Sequence, residues 1–581
     1  MIILGLNAFH ADSAATILID GKIIAAIEEE RINRIKHWSG LPISAIKECL
    51  SIAQVSLDQV DYISINQDFF ANFFQKLNYL LFNKVNVNFL IERFHNKKIR
   101  TNILYLLKKE LGGLKKNCKL ISIEHHYSHL ASAFFDSPYQ ESVNLSVDGF
   151  GDFTSMAWGV GYNNNLRIDN KILFPHSLGI FYEAFTQFLG FLNYGDEYKV
   201  MGLSSYGFPS EVNKIKKIIN LKKNGEFQLN LDYFNHHKKR INYSWNNSAP
   251  SQERLFNDNI KNLLGDPRLQ TDSISQYQKN IASSVQKVYE ETLFHILNYI
   301  YDKYKIKNLT LSGGCAQNSL ANGKILENTP FTSLFVPSNA GDAGGAVGSA
   351  YLAWNKLSKL RPQQNKTAYL GNHYSNQYVE NLITQNKEKL ALENCKYIFI
   401  SETNHLCKFV AQEISKNKVI GWFQGKMEWG PRSLGNRSII ADPRNTNVKD
   451  LLNSKIKRRE SFRPFAPSIL LEEANHWFEN LSEEEPYMSS VFKFKKHKMG
   501  LVPGVVHVDG TGRIQTVKLQ DNEKYYKLIK NFQLLTGVPI LLNTSFNENE
   551  PIVFKPEHAL SCFLRTKMDI LVLENWVISR Q

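Results

Sequence analysis

The first thirty residues alternate between apolar runs and polar breaks at the spacing of short strands. Ile2-Ile3-Leu4-Gly5-Leu6-Asn7 is an apolar run of the buried type, and a polar turn holding His10, Asp12 and Ser13 follows. Ala14–Ile19 reads as a second strand, Asp20-Gly21 is a strong hairpin signal, and Lys22–Ile27 is a third strand. Glu28-Glu29-Glu30-Arg31 then passes into a helix. The order recurs later in the chain: a strand over 143–147, a turn at Asp148-Gly149-Phe150-Gly151-Asp152, then strands over 153–160 and 165–173. This is a weak internal duplication. Between the copies, 67–120 is helix-rich and basic and reads as a lobe insertion.

Beyond the second copy, Leu178–Thr186 starts an apolar helix, and Tyr194–Gly207 reads as a glycine-punctuated loop facing a cleft. Residues 208–260 read as peripheral helices and loops, and 273–303 as a helix. Two units of hairpin strands backed by helices describe an actin-like or sugar-kinase-like architecture, whose cleft binds phosphates where the hairpin turns face each other. The polar stretch from Lys356 to Gln364, with Pro362, ends this domain, so the expected domains are 1–358 and 365–581. At 581 residues the chain exceeds what one core usually supports.

The candidate chemistry starts at His125 and His129, four residues apart and on one face if 123–134 is a helix. Two imidazoles held that way can share a divalent transition ion, and a carboxylate from the 148–152 turn could complete the site. The short strand ending at Ser312 runs into Gly313-Gly314-Cys315-Ala316-Gln317-Asn318, and Pro337–Ala346 repeats the device with Gly341 and Asp342 in it. Each glycine turn leads toward a small-residue helix, which would offer backbone N–H groups to an anion. Gly313, Gly314, Asn318 and Gly341 are therefore candidates for a phosphate cleft, and Asp342 for a remote acidic ligand to the histidine pair. Cys315 reads as a small packing residue.

In the second domain, Gly421–Ile439 holds Arg432 between Pro431 and Ser433, and Lys455–Pro467 holds a basic run with Lys457 and Arg463. Basic side chains set between Gly, Pro and aromatic residues suggest a built anion pocket, and arginine suits phosphate or carboxylate bidentately. His507–Gln515 adds Arg513. Pro539–Asn547 is a buried-type strand with Asn543 and Ser545 at its end, the usual place for a ligand in an α/β domain.

Composition narrows the classes. Hydrophobic content of 43% with 12% aromatics argues against extensive disorder. The net charge of +14 lies largely in lysine-rich runs such as Lys214–Lys217 and His237–Arg240, without the interleaved aromatics of a single-strand nucleic-acid reader. A positive field also suits an anionic small substrate. Six scattered cysteines read as reduced thiols of a cytoplasmic protein. The opening strand is not a signal peptide, and no run of eighteen uncharged apolar residues spans a membrane.

Taken together, the HHxxHxxSAF run at 125–134, SGGCAQN, GPRSLGNRS with DPR, FRPFAPS and LLNTSFN resemble the NodU/CmcH family of O-carbamoyltransferases over nearly the whole chain. The resemblance implies a mixed α/β chain in two parts. The first is a duplicated actin-like (ASKHA) domain similar to the tRNA threonylcarbamoyl transferase domain. The second is an α/β domain similar to threonylcarbamoyl-adenylate synthase. It further implies that ATP and carbamoyl phosphate give carbamoyl-adenylate and pyrophosphate in the C-terminal domain. The carbamoyl group would then pass to a hydroxyl of a small-molecule acceptor, a natural product or sugar, in the N-terminal domain. A divalent metal, Fe2+ by preference, would sit on His125, His129, Asp148 and Asp342, and Mg2+ would accompany ATP. His10, beside Asp12, matches the histidine near the transferring group and would either accept the proton of the acceptor hydroxyl or only position phosphate. Arg432, Lys457, Arg463, Arg513 and Ser545 match residues contacting adenylate or carbamoyl phosphate, and Asn543 lies with them. A homodimer is expected from similar enzymes. Rival readings are a tRNA-modifying transferase, a sugar kinase or actin-like ATPase, and a scaffold without activity. Charge alone leaves Lys455 and Arg458 as rivals to Lys457, and spacing leaves His126 as a rival to His125.

Overall fold

The computed structural model describes residues 1–82, 102–238, 248–251, 253–481 and 483–581. The chain divides into two compact units, Met1–Lys366 and Thr367–Gln581.

In the first unit, β1 (Ile2–Asn7), β2 (Ala14–Ile19), β3 (Lys22–Glu28), β4 (Tyr62–Ile65) and β5 (Lys119–Ser122) form one sheet in the order β3-β2-β1-β4-β5. A second sheet contains β6 (Glu141–Gly151), β7 (Thr154–Tyr162), β8 (Asn165–Leu173), β11 (Asn308–Ser312) and β12 (Ser333–Phe335), ordered β12-β11-β6-β7-β8. A hairpin of β9 (Ile219–Leu221) and β10 (Phe227–Leu229) stands apart. Read outward from β1 and β6, the large sheets are the same object. On one side of the opening strand the next two follow in antiparallel succession, and on the other two later strands follow in parallel. The duplication is therefore complete, with five strands per copy. It is the actin-like topology.

The model also corrects several local readings. The first copy needs β4 and β5, so the 67–120 insertion is nested inside it and its last residues, from Lys119, belong to the sheet. Helices Phe73–Phe82 and Ile103–Leu111 lie within the insertion; its residues 83–101, like Lys239 and Arg240 of the basic run, fall outside the described residues. Asp148–Gly151 is not a turn: β6 continues through it, and the chain reverses at Asp152 and Phe153, both in the left-handed region. The segment after Tyr194 is largely helical (Glu197–Ser204), and the 208–260 stretch includes the β9–β10 hairpin. Local composition is polar in both places; the helix packs on the long Gln276–Tyr304 helix, and at the hairpin His295 of that helix faces the Lys222 carbonyl at 2.8 Å.

The helix His125–Asp136 begins just beyond β5, with the Glu124 carboxylate accepting from the Tyr127 N–H at 2.7 Å. Helix Gly344–Ser358 packs on it and on β1 through small residues. The approach is closest at Gly348, where a Cβ would sit 1.8 Å from the Ser128 carbonyl oxygen. Gly348→Ala is accordingly expected to cost about 3 kcal/mol through overpacking against backbone. The check is a lowered urea midpoint with an unchanged denaturant slope; an unshifted midpoint contradicts the packing argument.

In the second unit, β13 (Cys395–Phe399), β14 (Ile420–Phe423), β15 (Arg437–Ala441), β16 (Ala466–Leu470), β19 (Gln515–Val517), β20 (Ile540–Ser545), β21 (Ile570–Leu573) and β22 (Trp576–Arg580) form one mixed sheet, ordered β13-β22-β21-β14-β15-β20-β16-β19. β17 (Val491–Lys493) and β18 (Thr511–Arg513) pair beside it. Trp422, Phe532, Phe546 and Phe563 lie in the core. The register decides where ligands gather. Phe423 faces Arg437, Ser545 faces Ser438, Asn543 faces Ala466, and Gln515 faces Ser468. One end of this sheet thus collects the end of β20, the start of β16, the start of β19 and the β14–β15 loop.

Candidate functional site

In the first unit, four side chains meet at the carboxyl ends of the central strands. His129 Nε2 lies 3.0 Å from His125 Nε2 and 3.0 Å from Asp148 Oδ2. Asp342 Oδ1 lies 3.5 Å from both imidazole nitrogens, and His125 Nε2 is 3.7 Å from Asp148 Oδ2. Ligand atoms roughly 2.1 Å from one ion stand about 3.0–3.4 Å apart at angles between octahedral and tetrahedral, so the cluster has the dimensions of a metal site. Two imidazoles and two carboxylates form a donor set for a borderline divalent ion such as Fe2+, Mn2+ or Zn2+. Asp148 Oδ2 and Asp342 Oδ1 are buried and accept no hydrogen bond within the protein, as expected of atoms that serve a cation. Burial works against charge on both histidines, yet the carboxylates of Asp148 and Asp342 raise their basicity. Burial likewise opposes ionisation of both carboxyls, and the histidines against them hold both below the usual range. The residues present fit a divalent cation.

The rings are held by packing. A side chain at Gly151 would place its Cβ 2.1 Å from His125 Cδ2, so the strand can pass His125 only at a glycine. His126 is committed elsewhere: its Nδ1 faces Ser146 Oγ at 2.7 Å and its Nε2 faces the Thr154 carbonyl at 3.0 Å. Burial keeps it neutral.

His10 joins this centre through Asp342. Its Nδ1 lies 2.7 Å from Asp342 Oδ2. An ionised carboxylate only accepts, so Nδ1 carries the proton and Nε2 is the basic nitrogen. Asp12 does not serve His10, as its sequence position suggested. It accepts from His37 Nδ1 at 2.8 Å, and the His37 backbone N–H donates to Glu30 Oε2 at 2.8 Å. Both Asp12 and His37 have positive φ, which turns the two loops toward each other. The donors of Asp12, Glu30 and His37 also lie within 4.8 Å of one another, but they satisfy one another and Arg31 pairs with Glu30 at 3.2 Å. They form an ion-pair network. Burial opposes charge on His37, but Asp12 and then Glu30 outweigh it and push the group up to about 9. A raised base stabilises the fold fully below its unfolded value near 6.5 and ceases to do so as pH rises through about 9. Wild-type protein is therefore expected to lose more stability than His37→Gln between pH 7 and pH 10, read from urea midpoints. Parallel pH profiles contradict the assignment.

The turn at Gly313-Gly314 leads into a four-residue 3-10 helix and then a single turn, Ser319–Asn322. Asn318 caps that turn and exchanges hydrogen bonds with Gln286. At Gly341 and Asp342, the Gly344, Gly345 and Ala346 N–H groups donate to the carbonyls of Gly341, Asp342 and Ala343. These three N–H groups are used within the turn. Both turns also place the metal-site carboxylates: a Cβ on Gly314 would lie 3.0 Å from Asp148 Oδ1, and the second turn presents Asp342. Cys315 is held as an inert thiol, pushed well up by burial.

In the second unit, the sheet end described above gathers the arginines. Arg432 lies on the β14–β15 loop, Arg459 and Arg463 precede β16, and Arg513 ends β18. Burial depresses the basicity of Arg513, and Arg432, Arg459 and Arg463 around it depress it further. Its Nε is buried without a partner in the protein. Four guanidiniums in one field are what a polyanion site requires. Arg459, not singled out from the basic run by the sequence reading, is aimed by a 2.7 Å bond from Nε to Asn453 Oδ1 and by the Phe465 ring. Lys457 is buried, while Lys455 and Arg458 are exposed. Its Nζ donates to the Ser545 carbonyl, to Ser545 Oγ at 3.2 Å and to Asn547 Oδ1 at 2.6 Å. Asn543 is internal, its amide nitrogen donating to the Ser433 carbonyl, Ser468 Oγ and Gln515 Oε1, each at 3.1 Å.

A carbamoyltransferase N-terminus family model matches residues 2–351, and a carbamoyltransferase C-terminus model matches residues 411–580. The chain belongs to the carbamoyltransferase family. It is 38% identical to the uncharacterized protein sll1178 of Synechocystis sp., over 100% of this chain and 96% of that protein. It is 36% identical to nodulation protein NolNO of Sinorhizobium fredii, over 99% of this chain and 80% of that protein. The 3'-hydroxymethylcephem-O-carbamoyltransferase of Amycolatopsis lactamdurans is 31% identical over 46% of this chain and 48% of its own. The protein is thus an enzyme that transfers a carbamoyl group.

Sequence reading of this carbamoyltransferase missed His37, Glu30 and Arg459. Arg459 had a signal, since it continues the basic run beside the FRPFAPS segment. His37 had none: its partner Asp12 lies 25 residues away, and only the β1–β2 turn brings them together. Among the described residues, no helix is long and apolar enough to cross a membrane.

Proposed function

We propose that this carbamoyltransferase works through carbamoyl-adenylate, formed at the arginine pocket of the second unit and consumed at the histidine–aspartate centre of the first. The carrying observation is Arg513, half-buried with a fully buried Nε and set in the field of three other arginines. Such a cluster suits a reaction in which negative charge accumulates between two polyanions, here ATP and carbamoyl phosphate. The adenylate keeps the α-phosphate of ATP, so carbamoyl phosphate must first lose its own. Water releases inorganic phosphate and carbamate, a carbamate oxygen attacks the α-phosphorus, and pyrophosphate leaves. Arg432, Arg459, Arg463 and Arg513 neutralise these phosphates, with Mg2+ accompanying ATP. Lys457 fixes the end of β20 and with it Ser545.

In the first unit, a divalent ion on His125, His129, Asp148 and Asp342, Fe2+ by preference, would supply Lewis acidity toward the adenylate. His10 Nε2 accepts the proton of the acceptor hydroxyl, and Asp342 Oδ2 holds the tautomer and the resulting imidazolium. The acceptor oxygen attacks the carbamoyl carbon, and AMP leaves. The acceptor is a small molecule bearing a hydroxyl, such as a natural product or sugar.

The test is product release by purified, metal-loaded protein without acceptor. Pyrophosphate and phosphate in equal amounts, only when ATP and carbamoyl phosphate are both present, support the reading. ADP, or no nucleotide product, overturns it.

A further inference from the structure

The loop that carries Arg432 has no helix or strand between Phe423 and Arg437, only an isolated bridge from Glu428 to Tyr369, yet it must hold a cation among other cations. Two buried side chains hold it, Glu428 from within the loop and Gln515 from β19. Glu428 is 4% exposed, and its Oε1 accepts the N–H groups of Leu434 at 2.9 Å, Asn436 at 2.8 Å and Arg437 at 3.0 Å. Gln515 is 2% exposed, and its Nε2 donates to the Leu434 carbonyl at 2.8 Å. The Gln515 Oε1 accepts from Ser468 Oγ at 2.7 Å and Asn543 Nδ2 at 3.1 Å. Gln515 thus ties the Arg432 loop to β16 and β20, and it stands two residues from Arg513. The loop can close this tightly only because Gly435, at φ +102, leaves room for Tyr525; a Cβ there would be 2.2 Å from the ring.

We propose that Glu428 and Gln515 are positioning residues that set Arg432 against Arg513 for polyanion binding. Neither is needed to neutralise a phosphate: one is an acid and the other neutral. Both act through the Leu434 peptide groups, two residues beyond Arg432. Holding like charges together opposes their repulsion, so the loop needs fixed anchors where a neutral loop would not. The proposal rests on reading this pocket as a polyanion site.

The experiment measures the affinity of the full chain for inorganic pyrophosphate by titration calorimetry. Gln515→Glu keeps both acceptor functions but replaces the donor to Leu434 with a repelling oxygen, and Glu428→Leu removes the acceptor of three N–H groups. Each is expected to weaken binding about tenfold, as is Arg432→Ala. Glu428→Gln, which keeps an acceptor oxygen in place, is expected to stay within about threefold of wild type. The deciding arm combines Arg432→Ala with Gln515→Glu. A positioning role predicts that the pair binds no more weakly than Arg432→Ala alone, whereas additive losses mean a general structural effect and overturn the proposal. Unaltered affinity in Gln515→Glu and Glu428→Leu overturns it as well, as does absence of pyrophosphate binding by wild type. Wild-type protein that binds pyrophosphate but forms none from ATP and carbamoyl phosphate overturns the adenylate reading and leaves the clamp standing.

Discussion

His129→Ala is expected to lower carbamoyl transfer by about a thousandfold or more while carbamoyl phosphate-dependent pyrophosphate release stays within about twofold. The size follows from losing a Lewis acid that contributes several kcal/mol to the transition state. The selectivity follows from placement. His129 lies in the first unit with His125, Asp148 and Asp342, and the arginines that serve adenylate formation all lie in Thr367–Gln581. The loss has a readout independent of activity. Metal content by mass spectrometry should fall well below that of wild type, because a site built from four ligands keeps only three. Retained metal, or equal loss of both half-reactions in a variant with wild-type circular dichroism, would sink the assignment of separate sites.

The second large effect has opposite signs in activity and stability. Arg513→Met should reduce pyrophosphate release by about a thousandfold, the loss of one charge-assisted contact to a transferring phosphate. In buffer without polyanions the same variant should melt higher than wild type. Burial and three neighbouring guanidiniums all act against charge on Arg513, so an apolar side chain of similar length relieves a standing repulsion. Pyrophosphate should reverse the order by raising the wild-type melting temperature and leaving the variant nearly unmoved. A variant that melts lower than wild type in both buffers would show that Arg513 is held by contacts stronger than that repulsion.

Much of this molecule follows from local pattern. Apolar runs broken by Asp20-Gly21 and by the His10–Ser13 turn determine the β1–β2–β3 meander, because alternation and turn chemistry act over a few residues. The same grammar repeated at β6–β8 identifies the duplication. His125 and His129 share a helix face by spacing alone. The second-domain motifs mark anion chemistry because Gly and Pro restrain the loops that carry their arginines.

Tertiary structure decided the pairings. Whether Asp12 or Asp342 would serve His10 was a choice between a residue two positions away and one 332 positions away, and the fold chose the distant one. The reason is the close approach of helix Gly344–Ser358 to helix His125–Asp136, permitted by Gly348, which brings the Asp342 turn over the histidines. The two glycine turns bring Asp148 and Asp342 together with the histidines, a meeting that no residue type specifies. Glu428 and Gln515 carry no motif, and only the register of β16 with β19 and β20 turns a buried glutamine into the link between Arg432 and Arg513. Local sequence chose the chemical groups. Register and helix packing chose which of them meet, because those contacts join positions that no short window of the chain contains.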